Sequence, residues 1–151
     1  MNIFILDTDP TLAAQYACDK HVVKMVLETA QLLSTVAHVN GIEAQYKPTH
    51  KNHPCTLWAG KSKSNAEWLI AHGVALGKEY PRRYGKVHKS SLVIADLAAL
   101  PSALPDLGLT PFAQAMPDIY RNADPVVAYR KYYKTAKADI ATWKTATPNW
   151  W

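Results

Sequence analysis

The chain opens with a run of five residues, Asn2 to Leu6, that contains β-branched and aromatic members. Its length and composition predict one short, buried N-terminal strand. Asp9 and Pro10 follow, and an aspartate N-cap with proline in the first turn predicts the start of a helix. Apolar residues then recur at helical spacing as far as about Ala37, in a predicted core stripe of Val22, Val23, Val26, Leu27, Ala30 and Leu33. We therefore expect one long first helix.

The remaining pattern predicts further helices joined by loops. Ser64 and Glu67 form a capping-box pattern, and Asp124 with Pro125 repeats the device that opens the first helix. The predicted elements are a loop over 41–56, a helix over 65–80 that Pro81 ends or kinks, a short helix over 91–100, a proline-punctuated connection over 101–117 and a final helix over 125–140. The expected fold is mainly α, a compact single domain over residues 1–151 with a short N-terminal strand.

Composition narrows the class of protein. With 48% hydrophobic residues the chain can bury a core, and no stretch approaches the roughly 20 apolar residues that span a bilayer, so we expect no membrane partner. The N-terminus lacks a secretory pattern, and two cysteines form no disulfide framework, so we expect a cytoplasmic location. The net charge is +5, and all of the excess lies in residues 76–151. A basic half suits a polyanionic partner such as nucleic acid.

A polar line runs along the first predicted helix, opposite its core stripe. At 100° per residue, a narrow sector holds His21, Lys24, Glu28, Gln31 and Thr35. A solvated face is the simple interpretation, but such faces usually carry several Lys–Glu pairs. An imidazole, an ammonium and a carboxylate within two turns can instead supply acid–base chemistry and an anion contact. We predict that His21, Lys24 and Glu28 are catalytic.

Two cysteines and two histidines form a second candidate set. Cys18 and His21 lie three residues apart on the predicted helix, and His53 with Cys55 could add two ligands from the loop. Zinc prefers such a Cys2His2 set, although the second pair is spaced too closely for the usual finger or ribbon. We keep zinc as a minor alternative, with no cofactor as the main expectation.

Aromatic and basic residues alternate in three later segments, as in proteins that hold an extruded or single-stranded base beside a charged groove. Trp58, Trp68 and Tyr84 are the predicted stacking residues, although burial in the core is the alternative for Trp68. Phosphate contacts are predicted for Arg82, Arg83, Lys86, His88, Arg130 and Lys134. The tail after Trp143 holds two further tryptophans and is assigned no role.

Several of these strings occur in a set that resembles a family of small phage proteins. The motifs are residues 18–28 (CDKHVVKMVLE), 52–55 (NHPC), Trp58, 64–65 (SN), 68–69 (WL), 79–80 (EY), 84–88 (YGKVH) and 129–133 (YRKYY). More distantly, the chain resembles the pyrimidine-dimer DNA glycosylases of the phage endonuclease V type. The resemblance implies a compact helical enzyme that cuts the glycosidic bond of a damaged pyrimidine in DNA, inside the infected host cell.

The same resemblance suggests roles for individual residues. Those enzymes use an N-terminal α-amine as nucleophile beside a helix glutamate. Here His21 falls where that glutamate is expected, Lys20 and Lys24 fall where phosphate-binding arginines are expected, and Glu28 is the carboxylate available on the same face. Asn2 is too large for efficient removal of the initiator methionine, so we expect Met1 to carry the free amine. The motif positions Asn52, His53, Asn65 and Tyr129 complete the predicted DNA- or ligand-binding set.

The sequence thus predicts a DNA glycosylase or lyase in which Glu28 stabilises a sugar oxocarbenium or an imine and His21 handles protons. A transferase that modifies a base or nucleotide of phage DNA would use the same cleft. A non-catalytic binder of nucleic acid or of a host protein is the third alternative, in which His21, Lys24 and Glu28 are dispensable. The oligomeric state is left open.

Overall fold

The structure is a computed structural model that describes all of residues 1–151, and it is helical throughout, with no strand. Its helices are α1 (Pro10–Tyr16), α2 (Asp19–Val39), α3 (Pro54–Lys61), α4 (Lys63–Tyr84), α5 (Ser90–Asp96) and α6 (Pro125–Ala136), with single 3₁₀ turns at Leu100–Ala103, Asp118–Tyr120 and Ala138–Ile140. The long helices α2 and α4 pack on each other, α1 packs on α4, and α3 and α5 each pack on both. One hydrophobic core joins all six helices to the N-terminal segment.

The predicted N-terminal strand is wrong, although the segment is buried as expected. Residues 2–6 are all buried, yet no other segment of the chain pairs with them. Side chains take the place of a neighbouring strand: the Asn2 side chain accepts from the N–H groups of Ile3 and Phe4, and Arg130 Nε donates to the carbonyl of Leu6. Composition alone cannot reveal the missing partner strand, because strand pairing is a contact between distant residues.

The first predicted helix is two helices, separated by a break at Ala17 and Cys18. Both residues have extended backbone, so α1 ends at Tyr16 and α2 begins at Asp19. The break leaves the carbonyls of Gln15 and Ala17 without helical partners, and the Arg83 guanidinium donates to both. A distant arginine therefore stabilises a break that the local pattern does not contain.

The middle of the chain is more helical than predicted. Helix α3 occupies the end of the predicted loop, with Pro54 at its first position. The N-cap of α4 is Ser62, whose hydroxyl accepts from the N–H of Asn65, so the predicted capping box lies two residues too late. Helix α4 also continues through Pro81 to Tyr84 and ends at Gly85, whose left-handed backbone caps the helix.

The start of the last helix is confirmed. Asp124 accepts from the N–H groups of Val126 and Val127, and Pro125 occupies the first turn. The helix ends at Ala136 and is followed by the 3₁₀ turn that completes the predicted range. Helix α2 is long and apolar enough to cross a membrane by length and composition alone, but 67% of that stretch is buried inside the protein, as in a core helix.

Candidate active site

The side chain of Asn2 holds the N-terminal segment that begins with Met1. The Asn2 side-chain oxygen accepts from the N–H groups of Ile3 and Phe4 at 2.8 and 3.2 Å, and the Asn2 side-chain amide donates to the carbonyl of Ala115 at 2.8 Å. Phe4 has φ 41°, a left-handed value that is uncommon for a bulky residue and that turns the segment sharply. Asn2 was not identified from the sequence as a positioning residue. An Asn directly before an apolar run could have indicated this role, because Asn side chains readily bond the backbone two residues further on.

The Met1 α-amine and Lys24 both pair with Glu28, and the charges of the amine and of Glu28 reach the ring of His53. We call the Met1 amine, Lys24, Glu28 and His53 the amine cluster. The amine lies 4.0 Å from Glu28 Oε1, and Lys24 Nζ lies 3.7 Å from the same oxygen. The side chain of Glu28 is only 11% exposed, whereas that of Lys24 is 66% exposed. The Glu28 oxygens make no hydrogen bond within the protein, yet they are not sealed from solvent. The carboxylate therefore keeps acceptor positions that no group of the protein uses.

His53 enters the amine cluster from the N-cap of α3. Its Nδ1 accepts from the N–H of Cys55 at 3.1 Å, which caps the helix. Burial lowers the pKa of His53, and the positive charges of the Met1 amine and of His50 lower that pKa further, while Glu28 opposes them. The imidazole is therefore neutral near pH 7, beside an amine and a carboxylate.

The predicted polar line does not lie on the exposed side of α2. His21, Glu28 and Thr35 are buried, while Val23 and Leu27 of the predicted core stripe are 38% and 39% exposed. The N-terminal segment and the loop after Gly41 cover the polar side, and the hydroxyl of Thr35 exchanges hydrogen bonds with the backbone of Thr49. Helical spacing correctly grouped these residues on one side of α2. It could not show that neighbouring segments of the chain cover that side.

His21 lies apart from the amine cluster. Its ring stacks on Phe4 with centroids 4.2 Å apart, and its Nδ1 is hydrogen-bonded to the Tyr133 hydroxyl. Burial lowers the pKa of His21 to about 4, with smaller contributions from Lys137 and Lys24. The separation of seven positions from His21 to Glu28 corresponds to about 10 Å along the helix. The structure thus places His21 as a neutral group in the core, two turns from Glu28.

The predicted stacking tryptophans are packed in the interior. Trp58 and Trp68 are 5% and 7% exposed and meet edge to face, and their indole N–H groups donate to the carbonyls of Thr110 and Thr8. Asn65 is also buried and bonds the Trp58 carbonyl and Thr110. These residues fasten the connection after α5 to the core, and no face of either indole is open for a base.

Arg83 is equally unavailable for a phosphate. Its side chain is fully buried and donates to Glu79, to Asp19 and to the two carbonyls at the end of α1. We call Asp19, Glu79 and Arg83 the Arg83 network. The adjacent Arg82 is 61% exposed and touches Glu79 at 3.2 Å from the outside. A phosphate can reach Arg82 but not Arg83.

The other predicted DNA-binding residues divide in the same way. Tyr129 is buried, with its hydroxyl bonded to the backbone of Ala113 and Ala115, and His88 has one ring nitrogen on the Val23 carbonyl and the other on the Ser90 N–H. Arg130 is held by Leu6 and Asp7 but remains partly exposed. The accessible members of the set are Lys20, Asn52, Arg82, Lys86 and Lys134, with Tyr84 half-buried.

The alternative zinc site is not assembled. Cys18 and His21 share the Tyr133 hydroxyl, whereas Cys55 packs against the backbone of Ile3. No group of three or more His, Cys, Asp or Glu side chains is placed to hold a metal ion. Burial raises the pKa of Cys55 to about 12, so that thiol carries its proton.

Comparison with known proteins finds one family that matches the N-terminal part of the chain. The family model described as pyrimidine dimer DNA glycosylase matches residues 1–92, more than half of the chain. The matched part contains all four members of the amine cluster. No curated protein and no solved structure shows a significant match.

Proposed function

The chain belongs to the pyrimidine dimer DNA glycosylase family, and on that premise we propose that it excises a damaged pyrimidine with the Met1 α-amine as nucleophile. A general glycosylase-like function, with DNA as the partner, follows from membership of the family. The identity of the nucleophile, the lesion and any cleavage of the strand belong to the proposal. The observation that carries it is the Met1 amine 4.0 Å from the Glu28 carboxylate, which makes no hydrogen bond and whose other ion pair is with the exposed Lys24.

The chemistry suits an amine beside a carboxylate. The amine attacks C1′ of the damaged nucleotide while the C1′–N1 bond breaks. The electron pair of the C1′–N1 bond leaves with the pyrimidine. The proton lost by the alkylated amine goes to the departing base. The C1′–O4′ bond then breaks, O4′ takes up a proton from solvent and the nitrogen forms a protonated imine, and Glu28 stabilises the positive charge on the sugar and on the imine nitrogen. Loss of a C2′ proton from that imine, with departure of the phosphate from C3′, would cleave the strand.

The surroundings favour this use of the site. Lys24 lies at the rim, mostly exposed, where its charge can meet a DNA phosphate as well as Glu28. Asn2 fixes the segment that carries the amine, as expected of a group that must be held in an attacking position.

Borohydride trapping tests the proposal directly. The protein is incubated with dimer-containing, uracil-containing and undamaged duplex DNA in the presence of borohydride, which reduces an imine to a stable amine. We expect a covalent adduct with the dimer substrate alone, mapped by mass spectrometry to the Met1 nitrogen. An adduct on Lys24 would transfer the nucleophilic role to that side chain, and no adduct and no cleavage on any substrate would overturn the proposal.

A further inference from the structure

His53 presents one free hydrogen-bond donor to the amine cluster. Its Nδ1 is occupied as the acceptor of the Cys55 N–H. An accepting ring nitrogen carries no hydrogen, so the neutral ring carries its hydrogen on Nε2. Nε2 makes no hydrogen bond with any group of the protein, and the residue is half-buried. The cap of α3 thus fixes both the tautomer and the orientation of the ring.

The segment that carries His53 is packed against the segment that carries the reacting amine. The Cys55 thiol, two residues after His53, contacts the backbone N–H of Ile3, two residues after Met1. The Met1 amine is also close enough for its charge to act on the imidazole, as does the carboxylate of Glu28. The segment that carries the donor is therefore packed against the segment that carries the amine, within range of the charges of the amine and of the carboxylate.

We propose that the Nε2–H of His53 donates a hydrogen bond to the O2 carbonyl of the pyrimidine as it leaves, a role that rests on the proposed function. When the C1′–N1 bond breaks, its electron pair enters the pyrimidine ring and its charge spreads to O2, next to N1. A donor beside the nucleophile can reach O2, since that oxygen adjoins the breaking bond. The hydrogen bond stabilises the charge without transfer of the Nε2 proton.

A neutral donor suits this position better than a cation. A protonated ring would lose its cap, because Nδ1 could no longer accept from the Cys55 N–H. It would also place a further positive charge beside the Met1 amine and Lys24. The neutral imidazole keeps the helix capped and still supplies a donor for charge that develops only as the base departs.

Two amide substitutions separate the cap from the donor. In His53→Asn the shorter side chain places its amide near the former Nδ1, and Asn is a good N-cap, so the fold is retained but the Nε2 donor is lost. In His53→Gln the longer amide places an N–H donor near the former Nε2. We expect His53→Asn to slow excision of the dimer base by about 100-fold, the size typical of losing one such donor. His53→Gln should keep most of the rate, with thermal unfolding of the Asn variant close to that of the wild type.

Abasic DNA provides the control reaction, because it has no base to expel. Borohydride trapping on an abasic duplex should proceed at the wild-type rate in His53→Asn. Normal dimer excision by His53→Asn would overturn the role of His53, and so would an equal slowing of the dimer and abasic reactions, which would place His53 on the amine or imine instead. Wild-type protein that traps no abasic DNA would overturn the proposed function itself, and the role of His53 with it.

Discussion

Two buried carboxylates of α2, Asp19 and Glu28, are held in very different ways. In the Arg83 network, the guanidinium donates to Glu79 at 3.1 Å, to Asp19 at 3.2 Å and to two backbone carbonyls, and Asp19 also accepts from the N–H of Lys144. In the amine cluster, Glu28 has only two cations, at 3.7 and 4.0 Å, and no hydrogen bond. A fully bonded charge supports the fold, whereas a carboxylate with unused acceptors is available to a substrate.

The largest effect is expected from breaking the Arg83 network. Replacing Arg83 by Met leaves Asp19 and Glu79 buried without their partner, which should lower the free energy of unfolding by about 3–5 kcal/mol. Urea unfolding measures the change. Arg82→Met is the matched control, since Arg82 touches the same Glu79 from solvent, and it should cost less than about 1 kcal/mol. Equal losses for the two variants would remove the distinction between the buried and the exposed arginine.

The second prediction concerns Glu28, whose replacement should reduce activity strongly and stability little. Glu28→Gln should slow base excision by about 100-fold or more, about 2.7 kcal/mol in the activation free energy, because the amide cannot stabilise a cationic sugar or imine. Stability should change little, since the carboxylate makes no hydrogen bond that the amide would lose. DNA affinity should stay within a few-fold. The assay is single-turnover excision of a dimer duplex, with binding and urea unfolding measured on the same preparation.

Glu67→Gln is the control for that variant. Glu67 also pairs with a lysine four residues away, at 4.0 Å from Lys63, but on the exposed side of α4. Its loss should affect neither excision nor stability measurably. If Glu28→Gln behaved like Glu67→Gln in the excision assay, the amine cluster would be no more than a second surface ion pair.

Acid should destabilise the core around two buried histidines, His21 of α2 and His72 of α4. Burial lowers the pKa of both His21 and His72 to about 4, from 6.5 when unfolded, so the unfolded chain binds protons first as the pH falls. Their contribution to stability is complete above pH 6.5 and is lost between pH 6.5 and 4. At pH 5 each should cost about 2 kcal/mol relative to pH 7. Urea unfolding of His21→Asn should show a smaller difference between the two pH values than the wild type; an unchanged difference would contradict the burial of a neutral imidazole.

Local signals in the sequence were the ones that predicted structure well. Asp124 and Pro125 mark the start of α6 because a cap involves only residues within one turn. Pro54 carried the same kind of signal for α3, directly after the capping His53, and was not used. The covered side of α2 could not be predicted from local pattern. The N-terminal segment and the loop around Thr49 cover it, and neither has a regular periodicity that would show where it packs.

The candidate site was predictable only in part for the same reason. Periodicity picked out Glu28, and the resemblance to the glycosylases picked out the Met1 amine, but their meeting depends on how residues 2–6 are folded back over α2. Arg83 and Trp68 had the chemistry of DNA-binding residues, yet the core uses them. The residue type indicates which chemistry a side chain is capable of, but a buried side chain cannot contact DNA.

The smallest effect is expected at Lys24, the member of the amine cluster that solvent reaches most. Its side chain is 66% exposed, so Lys24→Met should change the free energy of unfolding by less than about 0.5 kcal/mol. Loss of one phosphate contact should weaken DNA binding a few-fold and lower its salt dependence by about one ion. Borohydride adducts should still form on Met1, because the α-amine and not the lysine is the proposed nucleophile. Abolished trapping with intact binding would exchange these roles, and Lys24 would then be the reacting amine that Glu28 serves.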